Sequence, residues 1–219
     1  MQKVLIDDLN NKTLFIFDFD GVLADSVQIK MQAFKQMYEP HGEKIVDKVS
    51  KYHLLNGGVS RYKKIKYFHK EYLDEEITES ELEKLSKEFS SIIVDKVIAS
   101  NEINGSTKYL KELVKKKKIC AINTGTPTKE IKEILRKRNL LIFFKHVYGS
   151  PDSKLKNLKN ILLDSNLTKE KAVFFGDSST DLEAAIELNI DFIGVGRAIK
   201  GVDTNYKKIK YINDFSELL

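Results

Sequence analysis

The stretch "TLFIFDFDGVLADS", residues 13–26, places Asp18 and Asp20 one residue apart behind a run of β-forming apolar side chains. The apolar run does not alternate with polar residues, which is the pattern of a strand buried on both faces of a parallel sheet. At period two, Asp18 and Asp20 point to the same side for as long as the strand continues, and Gly21 permits the sharp departure that follows. Two unpaired carboxylates this close repel, and the ordinary relief is a shared proton or a cation. Taken alone, the stretch is equally an Asp-Gly turn closing a strand. Its meaning depends on what the rest of the chain brings to the same place.

Four further runs read as buried strands: "ICAINT" (119–124), "HVYG" (146–149), "AVFFGD" (172–177) and "DFIGVG" (191–196). Helical spacing fills the gaps between them, in Ile131, Ile134 and Leu135, then Leu155, Leu158, Ile161 and Leu162, then Leu182, Ala185, Ile186 and Leu188. Strand alternating with helix predicts an α/β fold, a Rossmann-like parallel sheet with helices on both faces in three layers. The first strand breaks this rhythm. From Ala24 to Glu102 there is no convincing strand, and "SVQIKMQAFKQMYEP", "EKIVDKVSKYHLL", "SRYKKIKYFHKEYL" and "TESELEKLSKEFSSIIVDKVIA" read as amphipathic helices. The expected organisation is therefore a sheet domain of residues 1–23 and 103–219, with an all-α insert of residues 24–102. Pro40, His41 and Gly42 punctuate the first helix break, and Asn104-Gly105 marks the return to the sheet.

The bulk properties exclude several classes. With 219 residues and 42% hydrophobic side chains the chain can bury a sizeable core. The net charge of +5 comes from lysines spread along helices, and the dense run Lys115–Lys118 falls where a helix should end, complementing its dipole. That is a solvated terminus and not a nucleic-acid patch. The single cysteine, Cys120, lies in an apolar segment and reads as an inert buried thiol in a reducing compartment. "MQKVLIDDLNNK" is too polar for a secretory signal and no run reaches membrane-spanning length, so the expectation is a cytoplasmic protein without membrane contact. His41, His53, His69 and His146 show no paired ligand spacing, and Tyr62, Tyr67 and Phe68 read as core of the helical insert. Oligomeric state is open.

In an open parallel sheet the ligand sits outside the carboxyl ends of the strands. At the second end, "NTGTPT", Thr124 offers a hydroxyl and Gly125 lets backbone N–H groups approach a ligand closely; Thr126 reads as a helix cap with Pro127 at the first helical position. At the third, "GSPDSK", Lys154 opens a helix, a locally unfavourable place for a cation unless an anion is near; Lys156 and Lys159 compete for the role. At the fourth, "GDSSTD", Asp177 follows the apolar run and Asp181 lies one turn on, where it helps to fix the loop. Asp177 together with Asp18 and Asp20 makes an oxygen-rich site of the kind Mg²⁺ prefers.

These four motifs, in this order on these strand ends, resemble the haloacid dehalogenase superfamily of phosphohydrolases. "DFDGVLADS" is similar to its first motif, Thr124 to its second, Lys154 to its third and "GDSSTD" to its fourth. The helical insert stands where that family carries its first type of cap domain. One departure is Leu155, where many relatives have proline directly after the third-motif lysine. The resemblance implies that Asp18 is a nucleophile forming an aspartyl-phosphate and that Asp20 is the general acid and base. It implies Mg²⁺ held by Asp18, the Asp20 main-chain carbonyl and Asp177, with Thr124, the Gly125 amide and Lys154 holding phosphate oxygens. Asp20 argues against dehalogenation, since a halide leaves without a proton. In the insert, "NGGVSRYKK" (56–64) is similar to the cap segment of β-phosphoglucomutases, which makes Arg61 a candidate anchor for an anionic group of the substrate. Gly176-Asp177 follows the phosphoglycolate-phosphatase type instead of the mutase's Glu-Asp pair. The expected function is a Mg²⁺-dependent phosphatase of a small phosphorylated metabolite, of sugar phosphate or phosphoglycolate type. The alternatives are a phosphosugar mutase with the same covalent intermediate and a catalytically silent binding protein of the same fold.

Overall fold

The four residues of β1 (Leu14–Phe17) are all buried, and the rest of the sheet is built outward from them. The computed structural model describes residues 7–196 and 206–219; residues 1–6, part of the N-terminal segment judged too polar for a signal, lie outside these. β1 pairs in parallel with β2 (Ile119–Pro127) on one side and β4 (Ala172–Gly176) on the other, so that Phe17 stands level with Ile122 and Phe175. With β3 (His146–Ser150), β5 (Asp191–Val195) and β6 (Ile209–Ile212), the six-stranded sheet runs in the order β3-β2-β1-β4-β5-β6. The chain moves outward from β1 to β3 and then crosses back to β4, so the strand order reverses around β1. That reversal opens the crevice at its carboxyl end.

Side chains along each strand alternate between the two faces. Phe15 and Phe17 join Val173, Phe175 and Phe215 on one face, beneath α5 (Ser106–Lys115) and α6 (Thr128–Lys137). Leu14 and Ile16 join Phe174 and Phe192 on the other, beneath α7 (Lys154–Ser165) and α8 (Ser179–Leu188). The rings of Phe17 and Phe175 stack with centroids 4.8 Å apart. Cys120 is buried in this core, and burial pushes its thiol up to about 12.

The insert that follows β1 holds four α-helices, α1 (Val27–Tyr38), α2 (Glu43–Leu55), α3 (Arg61–Phe68) and α4 (Glu79–Ala99), ahead of α5 and β2. Phe34 of α1 binds them together, its ring 5.5 Å from Phe68 and 4.3 Å from Phe89. The two passages between cap and sheet are paired to each other: Ile103 N–H donates to Leu23 O at 3.2 Å and Asp25 N–H to Asn101 O at 3.0 Å. Arg138, just past α6, donates to the carbonyls of Val97, Ile98 and Ser100 at 2.8, 3.0 and 2.8 Å. It thereby satisfies acceptors that the end of α4 leaves free.

Three local expectations are corrected. β6 is a strand that lysine-rich "YKKIKYI" concealed: it is an edge strand, and lysines on an edge guard it against further pairing. β2 runs on through Thr126 and Pro127, and α6 begins at Thr128 with no side-chain cap, so Thr126 is a strand residue and not a helix cap. Of the aromatic trio in α3, Phe68 is buried, but Tyr67 lies at the surface and stacks on Tyr52 at 4.2 Å. The lysine run does close α5, and Lys118 turns back to the carbonyls of Asn10 and Lys12 at 2.8 and 2.5 Å. Among the described residues no helix is long and apolar enough to cross a membrane.

Because Phe175 touches both the β1 aromatic row and Phe215, Phe175→Ala removes the centre of this face. Chemical denaturation should show a loss of about 3–5 kcal/mol of stability.

Candidate active site

Asp18 is the first residue past β1, 3% exposed, with its amide bonded to Phe175 O at 2.9 Å. Its Oδ1 accepts from Phe19 N–H at 2.6 Å and its Oδ2 from Lys154 Nζ at 2.5 Å. Lys154 reaches this point because α7 starts there. Ser153 caps the helix through Lys156 N–H at 3.2 Å, and the Asn123 side chain donates to Lys154 O at 2.9 Å. The competing Lys156 pairs with Asp152 at the surface, and Lys159 is exposed. Lys154 also pairs with Asp181, whose other oxygen closes a capping box with Ser178 at the start of α8. Burial opposes the Lys154 charge, but Asp18 and Asp181 outweigh it and hold the ammonium above the ordinary lysine range.

Oxygens of Asp18, Asp177 and Asp181 all lie within 4.8 Å of one another. Three carboxylates against one lysine leave an excess of negative charge in a poorly hydrated place. Burial, followed by the charges of Asp18 and Asp181, raises the Asp177 carboxyl well above the usual range. Asp181 is raised as well, by burial and by Asp18, with Lys154 acting against both. Asp177 accepts no hydrogen bond from the described residues. A carboxylate without a donor, crowded by two others, is the donor set of a hard divalent cation, and Mg²⁺ fits it. Gly21 belongs to the same cluster: its φ of +75° suits glycine, and a Cβ there would overlap the Asp177 carboxylate.

Asp20 turns away from this group. Its carboxylate pairs with Lys30 and accepts from Ser26 Oγ at 2.6 Å and Thr126 Oγ1 at 3.1 Å, while Lys30 also donates to Thr126 Oγ1 at 2.7 Å. Burial works against the Asp20 charge, but Lys30 and the two hydroxyls prevail and its pKa is lowered. Thr124 is buried and its Oγ1 accepts from Thr126 N–H at 3.2 Å. Gly125 faces the cap directly: a Cβ there would lie 2.9 Å from Gly58 O, and one on Gly58 would overlap the Ser178 and Thr180 hydroxyls. The cap loop therefore rests backbone to backbone on the sheet edge.

A cavity of about 50 Å³ lies between Asp18, Asp20, Thr124 and Asp177 on one wall and Arg61, Lys64 and His53 on the other. It has room for only a few water molecules. Arg61 lines it, but its guanidinium is committed: it forms a forked pair with Glu130 of α6, bonds Ser90 Oγ at 2.6 Å and lies 4.6 Å over the Phe89 ring. Lys30, Lys64 and Glu130 escaped the sequence reading, Thr126 was read only as a helix cap, and His53 was given no role. Lys64 alone left a signal, a lysine on the same helix face as buried Ile65 and Phe68.

The haloacid dehalogenase-like hydrolase family model matches residues 15–195. Comparison with curated protein sequences gives no match. Among solved structures the chain is similar to a β-phosphoglucomutase from Clostridium difficile, at 16% identity and a TM-score of 0.76 over 95% of this chain and 93% of that one. It is similar to a predicted phosphoglycolate phosphatase from Haemophilus somnus 129PT, at 18% identity and 0.70 over 95% and 96%. A third is CbbY from Rhodobacter sphaeroides in complex with xylulose-(1,5)-bisphosphate, at 16% and 0.73 over 94% and 96%. These likenesses establish a shared fold, a parallel α/β sheet core carrying a helical cap. The chain belongs to the haloacid dehalogenase-like hydrolases.

The acid triad sets a pH dependence. In the metal-free protein the folded state holds a proton on Asp177 that the unfolded chain releases above the ordinary aspartate range, so stability falls as pH rises through that interval. A cation displaces the proton. Thermal melts should show Mg²⁺ raising Tm more at about pH 7.5 than at about pH 5, and Asp177→Asn should reduce the difference.

Proposed function

We propose that the chain is a Mg²⁺-dependent phosphatase of a small phosphorylated metabolite, of sugar phosphate or phosphoglycolate type, acting through an aspartyl-phosphate on Asp18. The observation that carries the reading is the setting of Asp18: a buried carboxylate at the end of the central strand, tied to Lys154, with Asp177 beside it and Asp20 lining the same cavity. The similarity to a predicted phosphoglycolate phosphatase and to a protein crystallised with a sugar bisphosphate supports the substrate class.

In this scheme an Asp18 oxygen attacks phosphorus, the bond from phosphorus to the leaving oxygen breaks, and Asp20 delivers a proton to that oxygen. Water then attacks the aspartyl-phosphate, Asp20 takes its proton, and inorganic phosphate departs with Asp18 restored. Thr124, the Gly125 amide and Lys154 hold the equatorial oxygens as they gain charge. Asp18, the Asp20 main-chain carbonyl and Asp177 would hold Mg²⁺, with Asp181 keeping Lys154 and the loop in place. When bound, the ion supplies positive charge between the phosphate and the nucleophile.

Lys30 gives Asp20 its two states. Paired with Lys30, Asp20 is the base that the second step needs. An arriving phosphate competes for the ammonium and raises the proton affinity of Asp20, which favours the acid needed in the first step. Arg61 enters as a residue of the cavity wall, and an anion reaching it would have to displace Glu130. Closure of the cap over a bound substrate would exclude water from the first step.

Phosphate release from a panel of phosphorylated metabolites, with and without Mg²⁺, tests the proposal. Metal-dependent release should fall by on the order of 10³-fold or more in Asp18→Asn, the loss expected for a covalent nucleophile. Release that survives the substitution, or its absence on a broad panel, overturns the phosphatase reading.

A further inference from the structure

We propose that the cap carries a second anion-binding site, built on Lys64 and oriented by His53, that takes a second negatively charged group, carboxylate or phosphate, of the phosphorylated substrate. This deepens the phosphatase reading and rests on it for the placement of the first phosphate.

The carrying observation is a buried lysine without a counter-ion. Lys64 is 1% exposed, yet no carboxylate of the described residues lies within ion-pair distance of it. Its Nζ meets two neutral acceptors, His53 Nδ1 at 3.0 Å and Gly57 O at 3.3 Å, and the Phe34 ring is 6.0 Å away. An ammonium has three donors, so one is left for a ligand. The other cations on this cavity are all paired: Lys154 with Asp18 and Asp181, Lys30 with Asp20, Arg61 with Glu130.

His53 is itself 4% exposed, and burial together with Lys64 and Lys30 lowers its pKa to about 3. It is neutral, and toward an ammonium at Lys64 its Nδ1 accepts, which leaves its proton on Nε2. A neutral acceptor fixes the direction of the ammonium without cancelling its charge. Burial, then the charge of Lys30, lowers Lys64 to about 7, with Asp20 and Asp177 acting in the opposite sense. Both side chains line the same cavity as Asp18 and Thr124. A ligand whose phosphate lies against Asp18 and Lys154 therefore extends toward Lys64, and an anionic group there restores the missing charge balance. A charge-assisted bond in so dry a place is among the strong ones.

The test measures affinity apart from turnover. In the Asp18→Asn protein with Mg²⁺, calorimetry compares glycerol 3-phosphate with 3-phosphoglycerate, and glucose 6-phosphate with 6-phosphogluconate and glucose 1,6-bisphosphate. In at least one series the ligand with the added anion should bind about tenfold or more tightly, and whether the carboxylate or the phosphate gains more identifies the group. Adding Lys64→Met should remove most of that gap, whereas Lys66→Met, on the exposed side of the same helix, should keep it. Lys64→Met should also raise Tm, since it relieves an uncompensated buried charge. No gap in either series, a gap that survives Lys64→Met, or a Lys64→Met protein that is destabilised or unfolded each overturns the proposal. If the gap holds and the native protein releases no phosphate, the phosphatase reading fails and the Lys64 site stands; turnover without a gap has the reverse meaning.

Discussion

The site depends on one electrostatic constraint: three carboxylates gathered at the end of the central strands with a single buried lysine among them. Lys154 can bridge Asp18 and Asp181 only because α7 begins where β3 leaves the sheet, and because Ser153 and Asn123 fix that beginning. Asp177 is the member that the lysine does not reach by an ion pair. The remaining charge is what gives the crevice its appetite for a cation, and the apolar layers on both faces of the sheet keep water from relieving it.

Much of this was legible in the residues. β1 could be read because a strand buried on both faces needs an unbroken apolar run, and "LFIF" is one; β2, β4 and β5 followed by the same rule, and the other edge strand, β3, by its place between two helix-length segments. That Asp18, Thr124, Lys154 and Asp177 stand together could be read because the ends of parallel strands share one edge of the sheet and are fixed positions in the sequence. β6 could not, since an edge strand needs only partial cover and its lysines hide the pattern. Thr126 was misread because a Thr-Pro pair suits a helix start as well as an extended strand end, and the pairing of Pro127 with Ser150 decides between them. Lys30, His53 and Glu130 were out of reach for another reason. Their roles are set by contacts across 10, 11 and 69 positions of sequence, and nothing in their own neighbourhoods distinguishes them from other solvated or core residues.

The cap has an internal division of labour that follows from charge. Arg61 and Glu130 neutralise each other while spanning cap and sheet domain, so the pair fastens the two parts and leaves little field in the cavity. Gly57 and Gly58 let the loop settle on the hydroxyls of the fourth strand end. Lys64 is left to face the cavity with its charge uncancelled. Fastening and seating are thus carried by different residues of one short segment, residues 57–64, which also sets Lys64 on the cavity wall.

The paired passages between cap and sheet have a consequence for how such a protein can change. Asp25 and Asn101 stand one hydrogen bond apart, so everything between them enters and leaves the sheet domain through a single doorway. A longer, shorter or wholly different insert can be fitted to that doorway without altering the register of any strand. The helical insert is in this sense interchangeable, and the strand ends that gather the acid triad are not.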